Sequence, residues 1–184
     1  LAAVVNPEGE LCTDDAAMEW DMNTPCDRPP RVNHVIDGSD FGGRTGAAKF
    51  RDYCSDTFVT VADVGSGSPT VVCFGYGAKF PSKYQNAFFI SDWSYGKLYA
   101  VHLSPQGSTY TGKVEEFASA QPFPLTDLLV NPKDGAMYIA VGGRKVQSGL
   151  YRITYEGKES TAQAKSMPGG EEARKRRQAL ESFV

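Results

Sequence analysis

One short stretch of the sequence, RPPRVNH, brings together residue types that can bind and activate a small molecule. It contains Arg28, Arg31 and His34. A histidine that faces a ligand can act as a general base, and arginines beside it can hold an anionic group. A lone histidine on a strand is, however, more often a hydrogen-bonded structural residue. Both interpretations of His34 stay open on the sequence.

A second candidate lies in the stretch FISDWSYG, at the end of a predicted strand. Trp93 could stack on a sugar ring while Asp92 accepts hydrogen bonds from its hydroxyl groups. Alternatively, Asp92 ties the turn through backbone N–H groups and Trp93 fills the space between neighbouring units. We favour the second interpretation.

Carboxylates cluster in the long loop DDAAMEWDMNTPCDRPP, where Glu19 and Asp21 are weak candidates for calcium ligands. Their spacing is not that of an EF-hand, and acidic loops are usually just solvated. His102, at the end of a predicted strand, is expected to have no acidic partner nearby. The sequence shows no nucleophile elbow and no triad.

The four cysteines form neither a CxxC pair nor a CxxCH signature, so the sequence supports neither a zinc site nor a haem bound to this chain. They are either buried thiols or, in an oxidising compartment, disulfide-bonded. If one bridge exists, Cys26 and Cys54 are the preferred pair, because both fall in polar loops. Cys73, between Val72 and Phe74, is predicted to lie in a strand of the core.

A repeat of about 50 residues supplies the elements that must position these side chains. The segments AFFISDWSYGKLYAVHL (87–103) and AMYIAVGGRKVQSGLYRITY (136–155) each read as strand, turn and strand, with apolar residues at every second position. A further strand precedes each hairpin, at 69–75 and 124–130. Short antiparallel strands repeated in this way are typical of β-propeller blades.

The first unit is less regular, with a hairpin of GELCT (9–13) and RVNHVI (31–36) and an edge strand near 57–64. We therefore predict an all-β fold, a partial β-propeller of about three four-stranded antiparallel blades with a C-terminal helix. Residues 1–160 form the blades, 161–170 a linker and 171–184 the helix. Three blades are too few to close a ring, so other blades or subunits are expected to complete it.

The net charge and the distribution of apolar residues narrow the classes of function that the chain can have. The net charge of −3 gives no reason to expect general affinity for nucleic acid. No apolar run approaches the roughly 20 residues of a membrane span. The opening residues LAAVV begin in the middle of a predicted strand, which indicates that the 184 residues are a piece of a longer protein.

Several stretches together resemble a known family. They are MEWDMNTPCDRPPRVNHVIDGSDFGGRTG (18–46), GSGSPT, GAKFPSKYQNAFFISDWSYGKLYAVHL and QSGLYRITYEGKES. They look like the propeller of the planctomycete-type membrane-bound dehydrogenases, and the likeness covers roughly residues 4–160. Chains of that family join a sorbosone/glucose dehydrogenase-like propeller to helical repeats and a cytochrome c-like haem domain.

The resemblance implies an extracytoplasmic sugar or alcohol oxidoreductase that passes electrons to a haem domain outside this chain. Pyrroloquinoline quinone and calcium are implied as cofactors only by the resemblance, since no cofactor is evident in the chain itself. Pro30 and Arg31 stand where the family has its calcium-binding acids, and no arginine falls within 125–130, where the quinone would be held. The alternative is a catalytically silent propeller that serves as a binding or scaffolding subunit of an envelope or electron-transfer complex.

Overall fold

Three antiparallel sheets lie side by side, each built from neighbouring strands of the chain, except that a small two-stranded hairpin is inserted before the last strand of the first sheet. The computed structural model describes residues 2–17, 27–44, 48–50, 53–143, 145–165 and 167–183. We call the sheets blades 1, 2 and 3 in chain order. The described part of the chain ends in a helix.

Blade 1 and a small hairpin beside it are formed by six short strands: β1 (Ala3–Val5), β2 (Leu11–Asp15), β3 (Arg31–Val35), β4 (Gly43–Arg44), β5 (Ala48–Lys49) and β6 (Ala62–Asp63). The blade has the order β1-β2-β3-β6, while β4 pairs only with β5. The strand β6 pairs with Arg31 and Val32 of β3, so the outermost strand of this blade is short. These strands match the predicted hairpin and edge strand.

Blade 2 contains one short helix and four longer strands: β7 (Pro69–Phe74), α1 (Ser82–Gln85), β8 (Phe88–Asp92), β9 (Lys97–Gln106) and β10 (Thr109–Ser119). The strand β8 is buried on both faces, because blade 2 lies between the other two. Phe88 packs in the core shared with blade 1, and its neighbour Phe89 packs in the core shared with blade 3. The sequence pattern had indicated a single buried face. Complete burial of each ring contributes about 2 kcal/mol.

Blade 3 has three strands among the described residues: β11 (Leu125–Val130), β12 (Met137–Gly143) and β13 (Val146–Ile153). The first strands of blades 2 and 3, β7 and β11, contact each other, and so do the outermost strands of blades 1 and 2, β6 and β10. This is the arrangement of blades fanned around an axis. The predicted fold class, a partial β-propeller with a C-terminal helix, is confirmed.

The blades present two faces to their surroundings. We call the face that carries the connections after Asp15, Asp92 and Gly143 the upper face. The lower face carries the connections after Val5, Phe74 and Val130. Arg31 and Asp92 lie at the upper ends of their strands, whereas His34 lies near the lower end of β3.

After blade 3 the chain returns across the lower face. The Gln85 side chain holds this segment, since its Nε2 donates to the Ala162 carbonyl at 2.9 Å and its Oε1 accepts from the Ala164 amide at 2.9 Å. Helix α2 (Glu171–Glu181) then lies against blade 1. The predicted boundaries of the linker and of the blade region stay predictions.

Candidate functional site

A buried ion cluster occupies the upper end of blade 1. The Arg31 guanidinium donates to Asp15 Oδ2 from Nη2 at 2.6 Å and from Nε at 2.9 Å. Lys49 Nζ donates to the other oxygen, Oδ1, at 2.7 Å. The Arg31 and Lys49 side chains are 3% and 4% exposed. Burial lowers the pKa of Lys49, although the charge and hydrogen bond of Asp15 oppose this effect.

This cluster does not fit a calcium ion. A hard cation needs several free oxygen ligands, but both oxygens of Asp15 accept hydrogen bonds from cationic side chains. One positive charge, Arg31, already lies where the resemblance places an acidic ligand, and Lys49 brings a second one to the same carboxylate. The resemblance places arginines that hold the carboxylates of the quinone within 125–130, which is the strand β11. The side chains there do not fit that role, because Thr126, Asp127 and Leu129 cannot make the bidentate contacts that an arginine makes to a carboxylate.

Other predicted residues near this end of blade 1 are only partly described. Arg28 is half-buried on the segment that leads into β3. Glu19, Asp21 and Cys26 lie outside the described residues, so the weak calcium site and the Cys26–Cys54 bridge stay predictions. Within the described ranges, the structure brings together no group of three metal-ligating side chains.

His34 lies in a buried polar cluster at the lower end of blade 1. Its Nε2 is 2.6 Å from Glu10 Oε2, and its Nδ1 is 3.0 Å from Thr109 Oγ1. Arg177 Nη2, from α2, donates to the two oxygens of Glu10 at 2.6 and 2.7 Å. Gln178 Nε2 donates a further hydrogen bond to Glu10 Oε1 at 2.8 Å. This geometry supports the structural interpretation of His34, and its role as a ligand-binding residue stays a prediction.

The charges in this cluster follow from its burial. Burial alone would raise the pKa of Glu10, but the hydrogen bonds from Arg177 and His34 outweigh it and hold that pKa below 4.5. Burial lowers the pKa of His34 below 6.5, and the hydrogen bond to Glu10 does not reverse this. A neutral imidazole that donates from Nε2 to Glu10 and accepts at Nδ1 from Thr109 satisfies every contact.

Asp92 closes the turn between β8 and β9. Its carboxylate accepts from the backbone N–H groups of Ser68, Ser94 and Tyr95 at 2.7 to 3.1 Å. Trp93 Nε1 donates to the Gly142 carbonyl of blade 3 at 3.1 Å. Both residues therefore make the contacts that the favoured interpretation predicted. Ligand binding by either one stays a prediction.

An open pocket of about 520 Å³ lies beside Trp93 on the upper face, between blades 2 and 3. Its aromatic residues are Trp93, Tyr95 and Phe123, and its polar side chains include Ser94 and Gln121. Tyr95 is 46% exposed. The sequence pointed to Trp93 but not to Phe123, since the connection between β10 and β11 had no recognisable pattern.

The interpretation of His102 as a residue without an acidic partner is wrong. Its Nε2 lies 2.6 Å from Glu115 Oε2, and the Tyr84 hydroxyl donates to Glu115 Oε1 at 2.8 Å. Burial alone would raise the pKa of Glu115, but the bonds from His102 and Tyr84 lower it overall. The partner comes from the neighbouring strand, where Glu115 is diagonal to His102.

The described cysteines, Cys12, Cys54 and Cys73, form no disulfide with one another. Burial raises the pKa of the Cys12 and Cys73 thiols to about 12, which makes both unreactive. Cys73 packs against the core between blades 2 and 3, as predicted.

Neither helix of the described part of the chain combines the length and the apolar character that crossing a bilayer requires.

Comparison with known proteins bears on the fold. No protein-family model and no curated protein matches the chain. It is similar to a solved structure from Thermus thermophilus, provisionally assigned as an oxidoreductase (glucose dehydrogenase), with a TM-score of 0.62 and 17% sequence identity. The match covers 82% of this chain and 44% of the Thermus chain, so this chain spans less than half the length of that protein.

The chain therefore shares its partial propeller fold with that structure. The similarity concerns the course of the backbone. At 17% sequence identity it gives no information on which reaction, if any, this chain catalyses.

Proposed function

We propose that this chain is the binding part of an extracytoplasmic, dehydrogenase-like propeller, and that it takes up a sugar or related polyol on its upper face without oxidising it. The observation that carries the proposal is the ion cluster of Asp15, Arg31 and Lys49. Its cation Arg31 stands at one of the two positions where the resemblance implies calcium-binding acids, and Lys49 adds a second positive charge beside it. The resemblance to secreted dehydrogenase propellers supports the extracytoplasmic setting.

The pocket beside Trp93 supports the choice of ligand. Sugar rings present C–H faces that stack on aromatic rings, and Tyr95 and Phe123 offer such rings within one pocket. Ser94 and Gln121 add groups that can bond to hydroxyls. The indole of Trp93 is held in place by its bond to Gly142, so it forms a fixed wall.

Titration with glucose and sorbitol, followed by the fluorescence of Trp93 in a Trp20→Phe background, tests the proposal. We expect saturable binding, and we expect Tyr95→Ala to weaken it about fivefold because one stacking surface of about 1 kcal/mol is lost. Tyr53→Ala is the matched control, since Tyr53 is 85% exposed and lies outside the pocket. An absence of saturable binding up to tens of millimolar would contradict the proposal.

A second candidate function is oxidation. The likeness to the Thermus protein, whose description names glucose dehydrogenase, favours an intact protein that oxidises a sugar or alcohol and passes electrons to a haem domain or cytochrome. Other blades would then have to hold calcium and pyrroloquinoline quinone. A histidine in an earlier blade and a CxxCH signature downstream would support this candidate, and their absence from the intact protein would leave a scaffolding or binding role.

A further inference from the structure

The N-terminus of α2 lies beside the turn between β9 and β10. The backbone N–H groups of the first helical turn, residues 171–173, have no acceptor within the helix, and no side chain caps them. Residues 171–173 line an open pocket of about 420 Å³ together with Pro105, Gly107, Gly169 and Gly170. Free N–H groups and the helix dipole both favour an anion at this end of the helix.

A second observation is the side chain of Arg174, which is buried without an anionic partner. It is 4% exposed, and its Nη1 has no hydrogen-bond acceptor. Its guanidinium lies over the ring of Tyr110, 5.5 Å from the centroid. Among the described residues, no carboxylate lies at ion-pair distance from it, and the buried acid of this region, Glu10, is already paired with Arg177. A buried cation without a counter-charge is costly, so this side chain points to an anionic ligand.

Arg174 Nη1 lies next to the same pocket as the free N–H groups. A side chain at position 170 would place its Cβ 2.7 Å from Nη1, 3.0 Å from the Gly107 carbonyl oxygen and 3.1 Å from Pro105 Cβ. Gly170, Gly107 and Pro105 all line the pocket. The guanidinium therefore reaches the wall of the pocket, and glycine at position 170 leaves it the room to do so.

We propose that this pocket binds a phosphate group, either free inorganic phosphate or the phosphoryl group of a larger molecule. The N–H groups of the first helical turn donate to the phosphate oxygens, and Arg174 supplies the counter-charge. Glu171 and Glu172 also line the pocket and oppose an anion, but both are exposed, so solvent screens their charges more than that of Arg174. The proposal does not depend on sugar binding at the upper face.

Calorimetric titration of the intact protein with inorganic phosphate and, separately, with methyl phosphate tests the site at constant ionic strength. We expect saturable binding with a Kd of about 1 mM or lower. Tighter binding of methyl phosphate would identify a larger molecule as the source of the group, and tighter binding of inorganic phosphate would identify the free ion. Arg174→Met should weaken binding about tenfold, because the charge-assisted bonds to the phosphate are lost. Arg176→Met is the matched control, since Arg176 is exposed on the same helix and should change the Kd by less than about twofold.

Nuclear magnetic resonance of the wild-type protein gives a readout that does not depend on how a variant folds. During the phosphate titration, we expect the backbone amide signals of Glu171, Glu172 and Ala173 to shift along one saturation curve. The amide of Ala179, near the other end of α2, should not shift. Absence of saturable binding of both anions would overturn the proposal. Equal affinity of Arg174→Met and the wild type, or shifts confined to other parts of the chain, would also overturn it.

Discussion

At the scale of single residues, Glu10 is a heavily bonded, buried side chain of the lower face. It is 3% exposed and accepts hydrogen bonds from His34, Arg177 and Gln178. A buried carboxylate is tolerated only when its charge and its lone pairs are matched in this way. The cluster therefore fixes α2 on blade 1.

Replacing Arg177 with methionine keeps most of the side chain's length and removes its charge. We expect the free energy of unfolding to fall by about 3 kcal/mol, since Glu10 is left buried without its cation. Urea denaturation at pH 7 measures the change. Arg176→Met is the control, because Arg176 is exposed on the same helix and should change stability by less than about 0.5 kcal/mol. Equal effects of the two substitutions would contradict this view of Glu10.

The same cluster predicts how stability depends on pH. The pKa of His34 is lowered in the fold, so the unfolded chain binds a proton that the fold does not, and stability falls as the pH drops below 6.5. The pKa of Glu10 is also lowered, so its contribution is fully present above 4.5 and is lost as the pH falls through the lowered pKa.

Urea denaturation between about pH 7 and pH 4 should therefore show a loss of stability in two ranges. A glutamine at position 34 can keep both hydrogen bonds but does not titrate. The substitution His34→Gln should therefore flatten the dependence of stability on pH between pH 6.5 and pH 4.5. The steep part below 4.5 should remain in this variant. A His34→Gln profile that follows the wild type throughout would show that His34 does not carry the upper range.

Residue-scale features were predictable from the sequence only where they are local. The role of Asp92 follows from a turn within four residues, and its contacts are the ones expected. Glu10 and Arg177 are separated by 167 positions, so no spacing in the sequence could connect them. The partner of His102 was missed for a similar reason, since only the register of β9 and β10 brings Glu115 beside it.

At the scale of elements, the hairpins were predictable and the returning segment was not. Strands with an apolar residue at every second position form sheets that bury those residues. This alternating pattern was enough to locate the strands β8, β9, β12 and β13 along the chain. The segment 154–165 has no such pattern. Its position comes from Gln85, whose side chain binds the backbone as another strand would.

Gln85→Ala should release this segment while leaving the blades folded. We expect the Ala164 amide to exchange about tenfold faster, because its acceptor, Gln85 Oε1, is lost. Hydrogen exchange read at single residues measures this effect. Gln163→Ala is the matched control, since the Gln163 side chain is exposed and a free amide there holds nothing in place. Unchanged exchange at Ala164 would show that Gln85 does not hold the segment.

At the scale of the whole molecule, the order of the blades follows from how their faces are shared. Blade 2 contributes Phe88 and Ile90 to one core and Phe89 and Leu98 to the other. No blade can bury both of its faces alone, so the three must lie side by side. The 50-residue repeat was enough to predict this arrangement. The ion cluster of blade 1 was not predictable, because it joins residues on both sides of a long loop and an inserted hairpin.

The central functional proposal is that this chain binds its ligand without the calcium–quinone chemistry that the sequence resemblance implies. The most direct test is to add pyrroloquinoline quinone and calcium to the intact protein and to follow glucose-dependent reduction of an electron-acceptor dye. We predict no dye reduction above the level without protein, and no quinone retained after gel filtration. Glucose-dependent dye reduction that is abolished by a calcium chelator would contradict the account.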